Sequence, residues 1–196
     1  GMNTTGKKKI TFKIEKVKLT KDNLVVGTFL GKDDKVVPGI APQDYTGEAL
    51  KPEVYVAVKY GEELIALEEG KDYTLSYSNN VKASKPDKEG NPVASAKVTV
   101  KGKGNFTGSA TRTFVINPIE IGNGETLSDY IAMDVLNIIQ YTGKNAKPAP
   151  KLYYIANDKK VTLKAGKDYK ITCEQKGEKD KTVKVEYTIN GIGNFK

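Results

Sequence analysis

The sequence predicts an all-β protein built from two tandem antiparallel β-sandwich domains. One observation is an internal repeat: Tyr45-Thr46-Gly47 returns as Tyr141-Thr142-Gly143, and Gly70-Lys71-Asp72-Tyr73 returns as Gly166-Lys167-Asp168-Tyr169, each 96 residues later. A second is an alternation of apolar and polar residues with a period of two, which is typical of strands with one buried face and one wet face. A fixed spacing between landmarks indicates tandem domains. Copies of roughly 100 residues are large enough to bury their own cores.

Four strands are predicted in the first copy, each from a stripe of apolar side chains. The stripes are Val54, Val56 and Val58; Tyr73, Leu75 and Tyr77; Ala96, Val98 and Val100; and Phe114 and Ile116 after Arg112. The second copy repeats two of them, at Tyr169, Ile171 and Cys173 and at Val183, Val185, Tyr187 and Ile189. β-Branched and aromatic residues suit a pleated, half-buried surface. We therefore expect Val98 and Val185 to face the core.

Turn residues separate the predicted strands. Glycine and asparagine tolerate a positive φ, and we interpret 101–108 and 190–195 as tight hairpin turns because strands flank both of them. A phosphate-binding loop would instead need a strand followed by a helix. The polar stretch Lys82–Pro92 is predicted to be a hairpin loop. Thr126–Gln140 carries a stripe that fits a helix, and Val135–Tyr141 equally fits a strand that enters the second Tyr-Thr-Gly motif, so we expect a short irregular or helical turn that leads into a strand.

The repeat also sets the predicted domain boundaries. Residues 1–16 are interpreted as the closing strand of a preceding repeat or as an N-terminal tail. Residues 17–117 form the first sandwich, and residues 118–196 form a second sandwich that stops before its last strand.

An orphan strand is predicted near the N-terminus. Ile10-Thr11-Phe12-Lys13-Ile14 parallels Arg112-Thr113-Phe114-Val115-Ile116 at a spacing of 102 residues. Unpaired sheet edges recruit strands from other chains. The unfinished second domain of a neighbouring molecule would offer such an edge, and the residues expected to pair with it are Lys9, Ile10, Thr11, Phe12, Lys13 and Ile14.

The composition argues against a membrane span and against a nucleic-acid partner. Of the 196 residues, 38% are hydrophobic, and no apolar run approaches the roughly 18 residues that a span needs.

The net charge is +8, yet Arg112 is the single arginine, and arginine supplies the planar fork that reads guanine and phosphate. The lysines alternate along the predicted strands, which is typical of a solvated sheet face. No signal-peptide pattern is present.

No residue pattern predicts catalysis. The chain has no histidine, which excludes Ser-His-Asp and Cys-His arrangements and histidine-ligated metals. Cys173 is the single cysteine and is predicted to be a core or half-buried residue. The carboxylate pairs Glu62-Glu63 and Glu68-Glu69 lie beside turn glycines, and Asp33-Asp34 and Asp87 are too sparse for a calcium cage. We therefore predict no catalytic residue, no metal and no cofactor.

The repeated motifs resemble those of bacterial Ig-like repeats of secreted and cell-surface proteins. In that family a Tyr-Thr-Gly opening, a Gly-x-Asp-Tyr-Thr-x-x-Tyr centre and a Gly-x-Gly-Asn-Tyr/Phe-Thr-Gly close recur in tandem, and here they stand at 45–47, 70–77 and 102–108. The resemblance weakens in Asp22–Asp44 and Gly122–Ile139. It implies two Ig-like domains without catalytic residues in an extracellular protein of a gut-type bacterium.

Two functions fit these predictions. The first, implied by the resemblance, is a non-catalytic structural or adhesive module that acts as a stalk, spacer or adhesion unit. The alternative is a carbohydrate- or protein-binding module accessory to a larger surface enzyme, in which Tyr60, Tyr153 and Tyr154 stack on sugar rings. The same aromatic side chains can instead fill the sandwich core. The expected partner is a protein or glycan at the cell surface.

Overall fold

The structure, a computed structural model, describes residues 6–30, 35–134, 149–156, 158–176 and 184–196. Within these residues the chain contains no helix, and about 51% of it lies in strands. The prediction of an all-β fold is therefore confirmed. The composition explains the result, because β-branched and aromatic side chains favour a pleated surface.

Fifteen strands are formed by the described residues. They are β1 (Val17–Leu19), β2 (Leu24–Leu30), β3 (Lys35–Pro38), β4 (Gln43–Asp44), β5 (Tyr55–Tyr60), β6 (Glu63–Ala66), β7 (Tyr73–Ser78), β8 (Ala96–Gly102), β9 (Phe106–Phe114), β10 (Ile116–Asn117), β11 (Ile131–Met133), β12 (Leu152–Ala156), β13 (Lys159–Thr162), β14 (Tyr169–Lys176) and β15 (Lys184–Gly191).

These strands combine into a β-sandwich-like arrangement of sheets. Two sheets have four strands, in the orders β1-β9-β8-β7 and β3-β2-β5-β6. A third sheet has the order β11-β12-β13, and the remaining described sheets pair β14 with β15 and β10 with β4. Two pairs, β1 with β9 and β10 with β4, are parallel. The hairpins β5-β6 and β12-β13 are antiparallel, as their short connections require.

The chain divides into two compact units. Unit 1 comprises Gly1–Pro38, Val54–Ser76 and Val98–Arg112, and unit 2 comprises Gly39–Glu53, Tyr77–Lys97 and Thr113–Lys196. The boundaries of these units differ from those of the two predicted copies, because parts of the first copy belong to unit 2. The predicted domains 1–16, 17–117 and 118–196 stay a prediction.

Unit 1 has an aliphatic core. Its buried hydrophobic residues are Leu19, Leu24, Val26, Val54, Val56, Ala57, Val58, Tyr73, Val98, Val100 and Ala110. The guanidinium of Arg112 donates hydrogen bonds to the carbonyl oxygens of Lys21 (2.7 Å) and Leu24 (2.6 Å). The single arginine of the chain therefore stabilises the turn before β2 through two hydrogen bonds to its backbone.

Unit 2 contains two hydrophobic clusters. One is formed by Ala96, Phe114 and Ile116, and the other by Ile119, Ile121, Ile131, Leu152, Tyr154, Leu163, Tyr169 and Phe195. Tyr45 packs against both clusters. Tyr45 of the first Tyr-Thr-Gly motif is half-buried, so its packing against the two clusters contributes part of the stabilisation that full burial of an aromatic side chain would give.

The predicted alternation of buried and exposed residues is confirmed in β8 and departs from expectation in β5. Ala96, Val98 and Val100 are fully buried, as predicted. In β5 the alternation with Val56 and Val58 predicts that Ala57 lies on the wet face, and this prediction is wrong because Ala57 is fully buried. Ala57 lies between Val25 of β2 and Ala66 of β6. Its single methyl group is short enough to be covered by cross-strand neighbours on the same face.

Two further predictions concern segments with ambiguous patterns. Lys9–Ile14 lies in no strand of the described chain and is exposed, so its pairing with another molecule stays a prediction. In Thr126–Gln140 the described part, up to Asp134, contains β11 and no helix, so the helical alternative is wrong there. The remainder of that segment, the second Tyr-Thr-Gly motif and Val183 lie outside the described residues.

Candidate functional site

Tyr154, one of the three candidate sugar-binding aromatics, lies in the core of unit 2. Its hydroxyl donates a hydrogen bond to the backbone carbonyl of Tyr45 at 2.9 Å. The Tyr154 ring packs edge-on against Phe195 at 5.6 Å and lies tilted against the Tyr45 ring at 6.1 Å, both measured between ring centroids. A ring with these neighbours cannot stack on a sugar, so Tyr154 is a core residue.

The cluster of Tyr45, Tyr154 and Phe195 is an apolar site that disfavours charge. Burial raises the pKa of Tyr154, and the neighbouring Tyr45 hydroxyl raises it further. Burial also raises the pKa of Tyr45, with an additional contribution from Asp168. Phenol groups in such a site stay neutral at physiological pH, because desolvation penalises the phenolate. The cluster therefore packs the interior and offers no acid or base.

Tyr153, the second candidate aromatic, faces outward, but its hydroxyl and one face of its ring already contact other side chains. Its hydroxyl donates to Asp134 Oδ2 at 2.5 Å, and this hydrogen bond is the main reason that its pKa is raised. The ammonium group of Lys160 lies 3.7 Å from the ring centroid. A cation over an aromatic face is attracted by the ring quadrupole. A sugar would have to displace Lys160 from one face of the Tyr153 ring.

Tyr60, the third candidate aromatic, is the most accessible of the three. It ends β5, lies opposite Glu63 of β6 and is 68% exposed. Ile65 of β6 is also exposed and projects from the same face of the hairpin, because it pairs with Val58, two residues before Tyr60. Tyr60 and Ile65 therefore form a small exposed apolar patch on the β5-β6 hairpin, whose strand β6 is the edge of this sheet.

The two carboxylate pairs lie on exposed turns. Glu62 and Glu63 occupy the exposed β5-β6 turn and its exit. Glu68 forms a surface ion pair with Lys71 at 3.2 Å. Surface pairs of this kind contribute about 0–1 kcal/mol. All four glutamates are exposed, whereas glycoside hydrolysis needs two carboxyl groups that flank the scissile bond.

The Gly-Lys-Asp-Tyr motif is a turn closed by its aspartate. Asp72 Oδ2 accepts a hydrogen bond from the Glu68 N–H at 3.1 Å, and Gly70 adopts a positive φ of 84° that favours glycine. The same arrangement recurs where Asp168 Oδ2 accepts from the Lys164 N–H at 2.9 Å and Gly166 has φ 80°. The fixed place of the aspartate in both motifs was a sequence signal for this role.

Cys173 is a free, half-buried thiol in β14, as predicted. It lies opposite Tyr187 of β15. Burial raises the pKa of the Tyr187 hydroxyl, and Cys173 adds to that rise. An activated thiolate needs a nearby cation or base, and the residue opposite Cys173 in this strand pair is a phenol.

Two surface grooves lie within unit 2. One, of about 550 Å³, is lined by Asn79, Asn80, Val81, Lys82, Ala83, Lys85, Val93 and Ser95. The Asn80 amide already donates to the carbonyl of Leu50 at 2.7 Å, which ties it to the fold. The other groove, of about 590 Å³, is lined by Ile121, Gly122, Gly124, Glu125, Thr126, Leu127, Met133, Tyr187, Ile189, Asn190, Gly191 and Lys196. This second groove follows the apolar face of β15.

The described residues bring no three cysteine or acidic side chains together in a group that could hold a metal ion. Asp33-Asp34 lies outside these residues, so the prediction of no metal stays a prediction. Nor does the described part of the chain contain a helix long and apolar enough to cross a membrane. Comparison of the whole chain with models of known families, with curated proteins and with solved structures finds no match.

Proposed function

We propose that this chain is a non-catalytic structural or adhesive module made of two tandem Ig-like β-sandwich domains. In this proposal it belongs to a bacterial secreted or cell-surface protein and acts there as a stalk, spacer or adhesion unit. The proposal draws on the resemblance of the repeat motifs, on matching backbone geometry in the two copies and on the absence of histidine from the sequence.

The observation that carries the proposal is the register of two hairpins. β5 pairs with β6 through Ala57 and Ala66, and β12 pairs with β13 through Tyr153 and Thr162. Both strands of the second hairpin therefore lie 96 residues after those of the first. A slip of one residue would move every side chain to the opposite face. The shared register and the two aspartate-closed turns support one architecture that is used twice.

A spacer needs stable cores rather than reactive groups. Domains joined by short linkers keep their own cores and limit bending between neighbours. The candidate catalytic side chains fit this requirement, because Glu63 and Glu68 are exposed and Cys173 faces a phenol. The aromatic side chains Tyr45 and Tyr154 serve the interior.

Single-molecule pulling from the two ends tests this proposal. Two sandwiches in series unfold one after the other, so we expect two force peaks, each releasing about 300 Å of chain. Asp72→Ala should lower the force of one peak, and Asp168→Ala should lower the force of the other. A single peak that releases the whole chain would contradict the proposal.

The alternative is a carbohydrate-binding module accessory to a larger surface enzyme. One observation favours it: Tyr60 is exposed beside Ile65, and an open aromatic face can stack on a sugar ring. Glycan-array binding that is lost in Tyr60→Ala and kept in Tyr153→Ala would support this alternative. Binding that is absent from the unchanged chain would remove it.

A further inference from the structure

The segment before β1 carries a row of exposed apolar side chains. Phe12 is 81% exposed and Ile14 is 85% exposed, and Ile10 is also open to solvent. Thr11 and Lys13 separate them in the sequence. An extended chain places alternate residues on the same side, so the three apolar side chains can form one continuous face.

The position of this segment relative to β1 is repeated within the chain. The Val17 N–H donates to the Asn105 carbonyl at 3.0 Å, and the Ile119 N–H donates to the Asn194 carbonyl at 2.9 Å. Val17 pairs in parallel with Phe106, and Ile119 forms a parallel bridge with Phe195. Val17 and Ile119 are 102 residues apart, which is also the spacing between Ile10–Ile14 and Arg112–Ile116.

Two of the three exposed side chains have fully buried counterparts, whereas Ile10 corresponds to Arg112, which is half-buried. Phe114 corresponds to Phe12 and is 1% exposed, and Ile116 corresponds to Ile14 and is 0% exposed. Phe114 ends β9, which pairs with β8 in its sheet. Ile116 begins β10, which pairs with β4. Up to Phe12, the N-terminal segment therefore has the sequence of a strand whose apolar face is covered when it lies beside a strand like β8.

β15 is the counterpart of β8, at a spacing of 89 residues. The two strands end in matching glycines: a Cβ on Gly102 would meet the backbone of Phe106 and Thr107, and one on Gly191 would meet the backbone of Phe195 and Lys196. These close approaches describe the same tight turn in both places.

The apolar face of β15 is only half covered. The β8 stripe of Ala96, Val98 and Val100 is fully buried, whereas its counterparts on β15 are half-buried. Those counterparts are Val185, Tyr187 and Ile189. Tyr187 and Ile189 line the groove of about 590 Å³ together with Leu127 and Met133. Among the described residues, β15 forms a two-stranded sheet with β14.

We propose that residues Lys9–Ile14 of one molecule add as a strand to β15 of a second copy of this chain, with Ile10 and Phe12 beside Tyr187 and Val185 of its half-buried stripe. The added segment takes the place beside β15 that β9 takes beside β8. This inference rests on the proposed equivalence of the two copies. Main-chain hydrogen bonds supply affinity in such a complex, and the alternate side chains supply specificity.

The β8-β9 pair predicts the register of the added strand. Thr99 Oγ1 and Thr111 Oγ1 lie 2.8 Å apart across this pair. The corresponding residues of the complex are Thr188 of one molecule and Lys9 of the other. In the same register Ile10 lies opposite Tyr187, and Phe12 lies opposite Val185.

The proposed contact joins two different surfaces, so it extends from molecule to molecule. Each chain carries one N-terminal segment and one β15 face, and a heterologous contact that does not close produces open assemblies rather than a symmetric dimer. The mean mass in solution should therefore rise with concentration beyond twice the chain mass of 21.4 kDa.

Light scattering after size-exclusion chromatography tests the association. Phe12→Asp should weaken it by about 10- to 100-fold, because a buried aromatic side chain is replaced by a charge. Thr11→Asp is the matched control, since it adds the same charge to the opposite side of the segment and should weaken association much less. Both residues are exposed in the single chain, so neither change unfolds it. Equal effects of the two changes, or a monomer at all concentrations, would overturn the proposal.

Cross-linking tests the register. Lys9→Cys and Thr188→Cys are placed on separate molecules that also carry Cys173→Ser, and the two are mixed in a mild oxidant. Cross-strand residues this close suit the Cβ separation of a disulfide, so we expect a covalent dimer in high yield. Lys8→Cys with Thr188→Cys is the control, because it moves the thiol to the other face. Equal yields from both pairs would contradict the register.

The two proposals can fail separately. If the cross-link between Lys9→Cys and Thr188→Cys does not form while pulling still gives two unfolding peaks, strand addition is wrong and the tandem architecture stands. If pulling gives one peak and the cross-link is also absent, both are wrong. A cross-link together with two peaks supports both.

Discussion

β8 and β15 occupy matching places in the proposed repeat, yet their apolar faces have different surroundings. Val98 and Val100 are fully buried in a sheet in which β8 lies between β7 and β9. Tyr187 and Ile189 are half-buried, and β14 is the described partner of β15. The stripes are similarly apolar, and among the described residues β8 has a neighbouring strand on each side whereas β15 has one. An alternating pattern thus predicts which face of a strand is apolar. It does not predict which neighbouring strand buries that face.

The largest expected effect comes from the covering strand itself. Phe114→Ala should lower the free energy of unfolding by about 3–5 kcal/mol, because it leaves a cavity in a packed cluster. Phe12→Ala, the matching change in the exposed segment, should alter the stability of the isolated chain by about 0.5 kcal/mol or less. Urea unfolding at low protein concentration measures both. Similar losses of unfolding free energy for Phe114→Ala and Phe12→Ala would contradict the view that Phe114 is packed in the core and Phe12 is not.

The aspartate-closed turns should give equal effects in the two copies. Asp72→Ala and Asp168→Ala each remove a carboxylate that accepts from a backbone N–H, and each should cost about 1–2 kcal/mol. Chemical denaturation of the two variants checks this expectation. Glu62→Ala is the control, because it removes an exposed carboxylate from the β5-β6 turn and should alter the free energy of unfolding by about 0.5 kcal/mol or less. If Asp72→Ala lowered the free energy of unfolding strongly and Asp168→Ala did not, the two turns would not be equivalent.

These turns and apolar stripes could be predicted from the sequence because each depends on residues that are close together in the chain. Gly70 and Asp72 act within a few residues of each other, and the period of the β8 stripe is a property of the strand alone. In Tyr153-Tyr154 the alternation predicts one inward and one outward ring, but which one points inward follows from the strand register. The contacts of Tyr153 with Asp134 and Lys160 also depend on distant segments.

The aromatic cluster of unit 2 predicts a smaller effect that depends on pH. Burial raises the pKa of Tyr45 and Tyr154 above the usual value of 10.0. The folded state keeps protons that the unfolded state releases, so this stabilisation is complete below pH 10 and is lost as the pH rises through the raised pKa values. The free energy of unfolding should therefore fall above about pH 10.

Tyr154→Phe isolates one hydroxyl of that cluster. The variant loses the hydrogen bond to the Tyr45 carbonyl, which should cost about 1 kcal/mol at neutral pH. Above pH 10 its stability should fall less steeply than that of the unchanged chain. Tyr60→Phe is the control, because Tyr60 is exposed. Parallel pH profiles for Tyr154→Phe and the unchanged chain would contradict the assigned cause.

Amide hydrogen exchange tests most directly whether β15 lacks the strand that covers β8. The Phe12→Asp chain is measured alone and with an excess of a peptide that spans residues 6–17. We expect the peptide to slow exchange in β15 and to leave β8 unchanged, and a peptide carrying Phe12→Asp to do neither. Exchange in β15 that is as slow as in β8 without peptide, or that does not respond to it, would contradict the account.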